Sequence, residues 1–142
     1  MSDPFVTKNI LKWYDLNKRS LPWRKNVSKE KRQYNTLISE FMLQQTQVAT
    51  VIPYFNKFVK EIPNIKKLAS VDNKKLIKLW EGLGYYSRAR NLKKAAQSVI
   101  KNFNGVIPDN FDDLKSLSGI GDYTANAILA IAFNKPYIPL DG

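Results

Sequence analysis

Apolar side chains recur every three or four positions along most of this chain, which is the spacing of one face of an α-helix. No segment alternates apolar and polar residues as a half-buried strand does, so we expect an all-α fold. The polar residues 25–33 are expected to form a linker. Helices are predicted over residues 3–18, 35–45, 48–60, 65–69, the stretch after Asp72, 87–102, 111–117 and 123–133. Asp72 and Asp122 are expected to cap the helices that follow them. The expected inward face of helix 87–102 is formed by Leu92, Ala95, Ala96, Val99 and Ile100.

The charge of the chain favours an anionic partner, and nucleic acid comes first among such partners. Its 23 Lys and Arg residues outnumber its 12 Asp and Glu residues, which gives a net charge of +11. A lysine-rich solvated surface is the alternative. The chain has no cysteine and no histidine, which excludes disulfides and thiolate metal sites and leaves acid–base chemistry to carboxylates, Tyr or Lys. No apolar run is long enough to span a membrane.

The most informative stretch is LSGIGDYTA at residues 117–125. Gly119 and Gly121 let the chain turn sharply between two helices and keep side chains out of the turn. Backbone N–H groups can then approach an anion, and the positive end of the following helix points to the same place. Such a turn can hold one DNA phosphate without reading the base sequence. The alternative is an ordinary turn between helices with a glycine cap.

This stretch resembles the helix-hairpin-helix of the endonuclease III superfamily of DNA glycosylases, whose pattern is L-x-G-[IV]-G-x-x-T-A. The resemblance implies a six-helix barrel over residues 25–142, with the hairpin at about 111–133 and DNA contacts at Gly119, Gly121 and Thr124. It also implies that residues 1–24 form an N-terminal helix and loop that pack on an iron–sulfur domain. Members that also cut the DNA backbone have a nucleophilic lysine where this chain has Tyr123. A phenol cannot form an imine, which implies a glycosylase without lyase chemistry.

The segment SEFMLQQTQV at residues 39–48 resembles the S-E-x-M-L-Q-Q-T-x-V segment of adenine DNA glycosylases of the MutY type. Glu40 is either a solvated helix residue or a carboxyl partly enclosed by apolar groups, whose raised pKa would suit a general acid. The resemblance implies that Glu40 protonates the departing adenine. It also implies that Gln44 and Gln45 enter the DNA, where Gln45 fills space in the base stack and Thr46 faces the oxidised guanine. Two capping amides are the alternative.

The segment GLGYYSRARNL at residues 82–92 matches the same family's G-L-G-Y-Y-x-R-A-R-N-L almost completely. The resemblance implies that this turn approaches the duplex, with Leu83 at the DNA and Tyr85 wedged between bases. Unstacking a base costs a few kcal/mol, and a stacking side chain offsets part of that cost. Arg88 and Arg90 are expected beside phosphates or bracing the turn. The alternative is a glycine stop followed by core tyrosines.

Two further motifs are expected to complete the site. Trp23 and Arg24, in LPWR, resemble a loop that lines the family's adenine pocket, and Leu43 is expected in the same pocket. The linker that follows departs from the family pattern. Asp141, near the end of the chain, resembles an aspartate that would stabilise positive charge on the sugar as the N-glycosidic bond breaks. The alternative for Asp141 is a turn residue before a glycine.

The resemblance implies a base-excision repair enzyme that hydrolyses the N-glycosidic bond of adenine mispaired with 8-oxoguanine or guanine. We expect a monomer that binds double-stranded DNA in the bacterial cytoplasm, at the nucleoid. Family members carry a [4Fe–4S] cluster on four downstream cysteines, and we expect no cofactor in this cysteine-free chain. We expect a fragment or shortened product with low or no activity. The alternatives are a non-enzymatic DNA-binding remnant and a glycosylase for another mispair, such as thymine opposite guanine.

Overall fold

The computed structural model describes residues 21–24 and 27–135, and in this part of the chain the all-α prediction is confirmed. A one-turn 3-10 helix, Pro22–Arg24, precedes seven α-helices: α1 Lys29–Leu43, α2 Val48–Glu61, α3 Ile65–Ala69, α4 Asn73–Trp80, α5 Ser87–Asn102, α6 Phe111–Lys115 and α7 Asp122–Ala132. The helix predicted over residues 3–18, and Asp141, lie outside the described residues. Among the helices described, none combines the length and the apolar character needed to cross a membrane.

Helix α1 lies at the centre of the described structure. Its ten residues from Gln33 to Met42 are all buried, so the helix is enclosed on every side. It packs against α2, α5, α7 and the 3-10 helix. The side chains of Leu37, Ile38 and Phe41 have no exposed surface. Because its neighbours surround it, the position of α1 is set by the whole core.

The start of α1 corrects the sequence prediction, because the helix begins at Lys29 and not at Asn35. The side chain of Ser28 caps the helix by accepting a hydrogen bond of 3.2 Å from the backbone N–H of Lys31. Residues 28–32 are exposed, so this first turn carries polar side chains and shows no apolar pattern. The predicted linker is therefore wrong for residues 29–33.

The other helix boundaries follow local signals more closely. Asp72 caps α4 as predicted, since its side chain accepts a hydrogen bond of 2.8 Å from the backbone N–H of Lys74. Helix α6 ends at Lys115, two residues before its predicted end. The predicted inward face of α5 is wrong for Ile100, which is 40% exposed. It is confirmed for Leu92, Ala95, Ala96 and Val99.

Aromatic contacts connect the outer elements to this core. The ring of Trp23 meets the ring of Phe55 edge-on, with 5.1 Å between centroids, and this contact ties the 3-10 helix to α2. Phe58 of α2 and Trp80 of α4 form a second edge-on pair at 6.0 Å. The segment of residues 21–24 thus packs with α1 and α2, and Leu21 and Trp23 belong to the same core as α1.

Truncating a central side chain of α1 should be costly. We predict that Leu37→Ala lowers the free energy of unfolding by about 2–5 kcal/mol, because the cavity left in an enclosed helix cannot collapse. Chemical denaturation measures this loss. Lys31→Ala, on the exposed first turn of the same helix, is the matched control and should stay within about 0.5 kcal/mol of the unaltered chain. Equal losses for the two variants would contradict the central position of α1.

Candidate functional site

Three loops meet beside the carboxyl-terminal end of α1. We call them the glutamine loop, residues 44–47, the tyrosine loop, residues 82–86, and the hairpin turn, residues 116–121. Hydrogen bonds from Arg88 reach both of the first two loops, and a hydrogen bond from Gln44 reaches the hairpin turn. The chain therefore brings the three segments that the sequence singled out to one place.

The hairpin turn is docked tightly on α1 and α5 through its first glycine. Gly119 has φ +83°, and a Cβ there would lie 2.8 Å from a ring carbon of Phe41 and 2.9 Å from the Cβ of Asn91. The hydroxyl of Ser118 hydrogen bonds to the Asn91 side chain at 2.9 Å. The fold itself thus requires glycine at position 119, because both the backbone conformation and the contact exclude a side chain.

Within the described residues, the fold does not require glycine at the second glycine position of the turn, Gly121. Gly121 is exposed, has φ −96°, and a Cβ there would meet no atom within 4 Å. It is the N-cap of α7, and no described side chain caps this helix end. The prediction that Asp122 caps α7 is wrong: it is the first helical residue and pairs with Lys115 at 2.6 Å. The helix start at Gly121 is therefore bare and open.

A cavity of about 370 Å³ lies between the glutamine loop and the start of α7. Its volume falls within the range of roughly 300–1,000 Å³ that small-molecule sites occupy. Glu40 of α1 lines it and is only 5% exposed. The other lining residues are Leu43, Gln44, Gln45, Thr46, Gln47, Val48, Tyr123 and Thr124. The cavity thus places one carboxyl group at the meeting point of α1 and the hairpin.

Tyr123 faces the same cavity from the first turn of α7. Loss of solvent around the phenol, and then the negative charge of Glu40, raise the pKa of Tyr123 above its ordinary value. The phenol is therefore neutral at physiological pH and keeps its hydrogen as a donor.

Gln44 connects the cavity wall to the hairpin. Its side-chain amide donates hydrogen bonds to the carbonyl of Gly119 at 3.2 Å and to the hydroxyl of Thr124 at 3.4 Å. Thr124 is buried, so its side chain serves this internal contact, and the expected DNA contact of that side chain is corrected. Gln44 thereby fixes the end of the Glu40 helix against the turn.

Gln45 and Tyr85, two of the three residues expected to enter the DNA, both have unusual backbones. Gln45 has φ 60° and Tyr85 has φ 48°, the left-handed region that residues other than glycine rarely adopt. Both side chains are exposed, Tyr85 to 62%. Strained residues of this kind persist only where the surroundings hold them, and they cluster at functional sites.

Burial decides between the roles expected in the tyrosine loop and its helix. Leu83 is 7% exposed and belongs to the core, so the expected DNA contact of its side chain is corrected. Arg88 is 6% exposed and donates to backbone carbonyls of both loops, so it braces the turn, which is one of its two expected roles. Arg90 is exposed. Arg88 and Arg90 lie on different faces of α5, because residues two positions apart in a helix point in nearly opposite directions.

Of the residues expected in the base pocket, Leu43 lines the cavity. Trp23 does not, because its ring is 1% exposed and packs against Phe55 inside the core. The side chain of Arg24 lies outside the described residues. Gln47 and Val48, which begin the next helix, complete the wall and were missed, although they directly follow the glutamine pair in sequence.

Comparison with known proteins identifies the family. A family described as "HhH-GPD superfamily base excision DNA repair protein" matches residues 38–142. The chain belongs to this superfamily. The HhH-GPD match covers α1 from Ile38 onward, the hairpin and the cavity between them.

Curated relatives agree with this assignment. An adenine DNA glycosylase of Rattus norvegicus is 45% identical over 140 residues, which cover 95% of this chain and 27% of the relative. An adenine DNA glycosylase of Buchnera aphidicola subsp. Acyrthosiphon pisum (strain APS) is 46% identical over 143 residues, which cover 100% of this chain and 40% of the relative. The chain thus spans less than half the length of these relatives, and the predicted resemblance is confirmed over that part.

Solved structures confirm the fold. A thermostable thymine-DNA glycosylase superposes with a TM-score of 0.75 at 27% identity, covering 93% of this chain and 59% of that protein. An endonuclease III in a non-covalent complex with DNA gives a TM-score of 0.71 at 24% identity, covering 95% of this chain and 64% of that protein. The expected helix-hairpin-helix glycosylase fold is therefore present.

The two hairpin glycines should differ sharply in their effect on stability. We predict that Gly119→Ala lowers the free energy of unfolding by about 1–3 kcal/mol, since it adds backbone strain and a contact with Phe41. Gly121→Ala should be neutral to within about 0.5 kcal/mol, because its Cβ would enter open space. Thermal and chemical unfolding of the two variants measures the difference. A destabilisation by Gly121→Ala as large as that by Gly119→Ala would contradict this division of roles.

Proposed function

We propose that this chain is the DNA-gripping and acid-bearing part of an adenine DNA glycosylase, acting in base excision repair on adenine opposite 8-oxoguanine or guanine. One observation carries the proposal: a buried glutamate, Glu40, lines a cavity whose other side is the start of α7, the second helix of the helix-hairpin-helix. A base drawn into this cavity would meet a carboxyl group while the hairpin holds its strand. The family and the named relatives support this assignment.

The hairpin would supply the grip on the DNA backbone. The bare start of α7 offers backbone N–H groups that carry the partial positive charge of the helix end, which suits one phosphate. Gly121 leaves the space in front of it empty, so the phosphate can approach the backbone closely. The net charge of +11 adds a general attraction for the duplex. Binding would therefore tolerate many sequences.

The cavity would supply the chemistry. Glu40 would donate a proton to the adenine ring, and the N-glycosidic bond would break with its electron pair leaving on the base. Water would then add to the sugar carbon and release a proton to the Glu40 carboxylate. The sugar carries positive charge while this bond breaks, and a nearby carboxylate would stabilise that charge. By resemblance this second carboxylate is Asp141. The products are free adenine and an abasic site, with the backbone left intact.

Tyr123 would limit the reaction to base removal. Its neutral phenol lies beside Glu40, where it can donate a hydrogen bond but cannot form a Schiff base with the sugar.

The iron–sulfur cluster of the family does not fit the residues of this chain. Thiolate ligands hold such clusters, and the chain contains no cysteine. We also propose a preference for 8-oxoguanine, a monomeric state and a bacterial cytoplasmic location, which the resemblance supports.

Duplex binding should depend steeply on salt. If the hairpin and surrounding cations neutralise about four phosphates, log K should fall with log salt at a slope of about −3.6. Fluorescence anisotropy of a labelled duplex measures this slope. Gly121→Ala should weaken binding at every salt concentration while leaving stability unchanged, because its methyl group occupies the approach of the phosphate. A slope near zero would exclude the nucleic-acid partner.

Removal of the proton donor should remove the chemistry. We predict that Glu40→Gln slows adenine release by about 10²–10⁴-fold, the usual contribution of a general acid, and leaves duplex affinity within a few-fold. The assay uses protein in excess over a duplex with adenine opposite 8-oxoguanine, so that a slow rate is still measured. Duplexes with other mispairs test the substrate preference. A rate for Glu40→Gln close to that of the unaltered chain would refute the assignment. Tight duplex binding by the unaltered chain without any release of adenine would favour the alternative of a non-enzymatic DNA-binding remnant.

The lyase step should be absent. Base removal should leave the abasic strand unbroken until alkali is added, because Tyr123 provides no amine. Borohydride should trap no major covalent complex between the unaltered chain and the duplex. Tyr123→Lys, which introduces an amine at the cavity, should produce some trapping. Efficient trapping by the unaltered chain would show that another residue is the nucleophile.

A further inference from the structure

Arg88 forms the densest group of hydrogen bonds described in this protein. Its guanidinium lies at the carboxyl-terminal end of α1, where the side chain is 6% exposed. One terminal nitrogen donates to the carbonyls of Met42 at 2.7 Å and Gln44 at 2.5 Å and to the hydroxyl of Thr46 at 3.0 Å. A longer contact of 3.4 Å reaches the carbonyl of Phe41. This side of the guanidinium therefore holds the end of α1 and the glutamine loop.

The other side of the guanidinium holds the tyrosine loop. Its second terminal nitrogen donates to the carbonyl of Gly84 at 3.0 Å, with a longer contact of 3.4 Å to the carbonyl of Leu83. Its Nε contacts the carbonyl of Tyr85 at 3.4 Å. The guanidinium also lies 5.5 Å from the ring centres of Trp80 and Tyr85. Two loops that are separated by 34 residues in sequence thus bind one cation.

The partial negative charge at the end of α1 explains the position of this cation. The last carbonyls of a helix have no intrahelical partner, and the helix end carries a partial negative charge. Helix α1 has no basic residue of its own in its last turn. Arg88 supplies that charge from α5 and satisfies the free carbonyls. Burial lowers the pKa of Arg88 from its ordinary value, but arginine remains charged in proteins.

The cation also lies between the two strained residues of the site. Gln45 directly follows Gln44, whose carbonyl Arg88 binds, and Tyr85 contacts Arg88 through both its carbonyl and its ring. Left-handed backbones at non-glycine residues need such external support. Of the two exposed side chains, Tyr85 is therefore held directly and Gln45 through its neighbour.

We propose that Arg88 is a positioning residue that fixes the separation of Gln45 and Tyr85, so that both side chains enter the duplex together and unstack the target base. This inference rests on the proposed function, because it requires that the chain binds duplex DNA. It separates two roles within one short motif: Arg90, which is exposed, contributes to affinity, whereas Arg88 contributes to the opening of the base stack.

Lysine cannot replace arginine in this role. The guanidinium presents five donors in a fixed planar fork, whereas an ammonium group is a compact charge at the end of a flexible stem. Arg88→Lys would keep the positive charge at the end of α1 and lose the simultaneous contact with both loops. The substitution therefore tests the fork separately from the charge.

The experiment measures base unstacking at saturation. A duplex carries 2-aminopurine next to an adenine opposite 8-oxoguanine, and its fluorescence rises when the base is unstacked. With saturating protein, Arg88→Lys should lower the fluorescence gain, and the equilibrium constant for unstacking derived from it should fall by about fivefold, as expected for the loss of a hydrogen bond of ordinary strength. Arg32→Lys makes the same chemical change at an exposed residue on the first turn of α1, away from the three loops, and should keep the full gain at saturation. A folded Arg88→Lys variant with the full gain would overturn the proposal.

A double variant distinguishes positioning from a general structural role. If Arg88 acts through Tyr85, then Arg88→Lys should lower the gain much less in a Tyr85→Ala background than in the unaltered chain. Equal losses in the two backgrounds would show that Arg88 acts elsewhere, and would also overturn the proposal. Thermal unfolding is measured for every variant, so that a loss of stability is recorded separately from a loss of gain.

Two further arms cover the remaining outcomes. Should Arg88→Lys fail to fold, Thr46→Val removes one acceptor of the fork with little change of shape. Thr46→Val should then lower the gain much less in a Tyr85→Ala background than in the unaltered chain, and equal losses in the two backgrounds would contradict the proposal. Failure of the proposed function has a different signature, since the unaltered chain would then show no salt-dependent binding of the duplex at all.

Discussion

The enclosure of helix α1 is the constraint on which the rest of the structure depends. Ten consecutive buried residues, from Gln33 to Met42, leave this helix no solvent-facing side over most of its length. The same enclosure buries Glu40, which lies among residues that pack against α2, α5 and α7. The carboxyl group meets the cavity only because the helix ends three residues later, at Leu43, where the glutamine loop begins.

The contacts at that helix end join the acid to the surfaces that would meet DNA. Gln44 ties the end of α1 to the hairpin turn, and Arg88 ties it to the tyrosine loop. The two hairpin glycines have different effects: Gly119 permits docking on α1 and α5, whereas Gly121 leaves the start of α7 open. These contacts fix the hairpin turn, the exposed side chains of the two loops and the Glu40 carboxyl relative to one another. This arrangement suits a reaction that requires all three at the same base.

Much of this arrangement could be predicted from the sequence, because helical periodicity and glycine turns are local signals. The fold class and most helix boundaries needed only neighbouring residues, whereas the roles expected for Glu40 and the hairpin turn came from the resemblance to a known family. The errors arose where tertiary contacts decide. Leu83 and Arg88 lie in a motif associated with DNA, and only the packed structure shows that both are buried. Trp23 was expected in the pocket, but its ring packs in the core against Phe55, which is distant in sequence. The early start of α1 was hidden because its first turn is polar.

The central claim is that one face, formed by the hairpin turn and the two loops, meets the duplex. Amide hydrogen exchange with and without a duplex containing adenine opposite 8-oxoguanine tests it most directly. The account predicts that slowed exchange is concentrated in residues 44–47, 82–86 and 119–124. Protection centred instead on the lysine-rich helices α3 and α4, with these three segments unchanged, would contradict it.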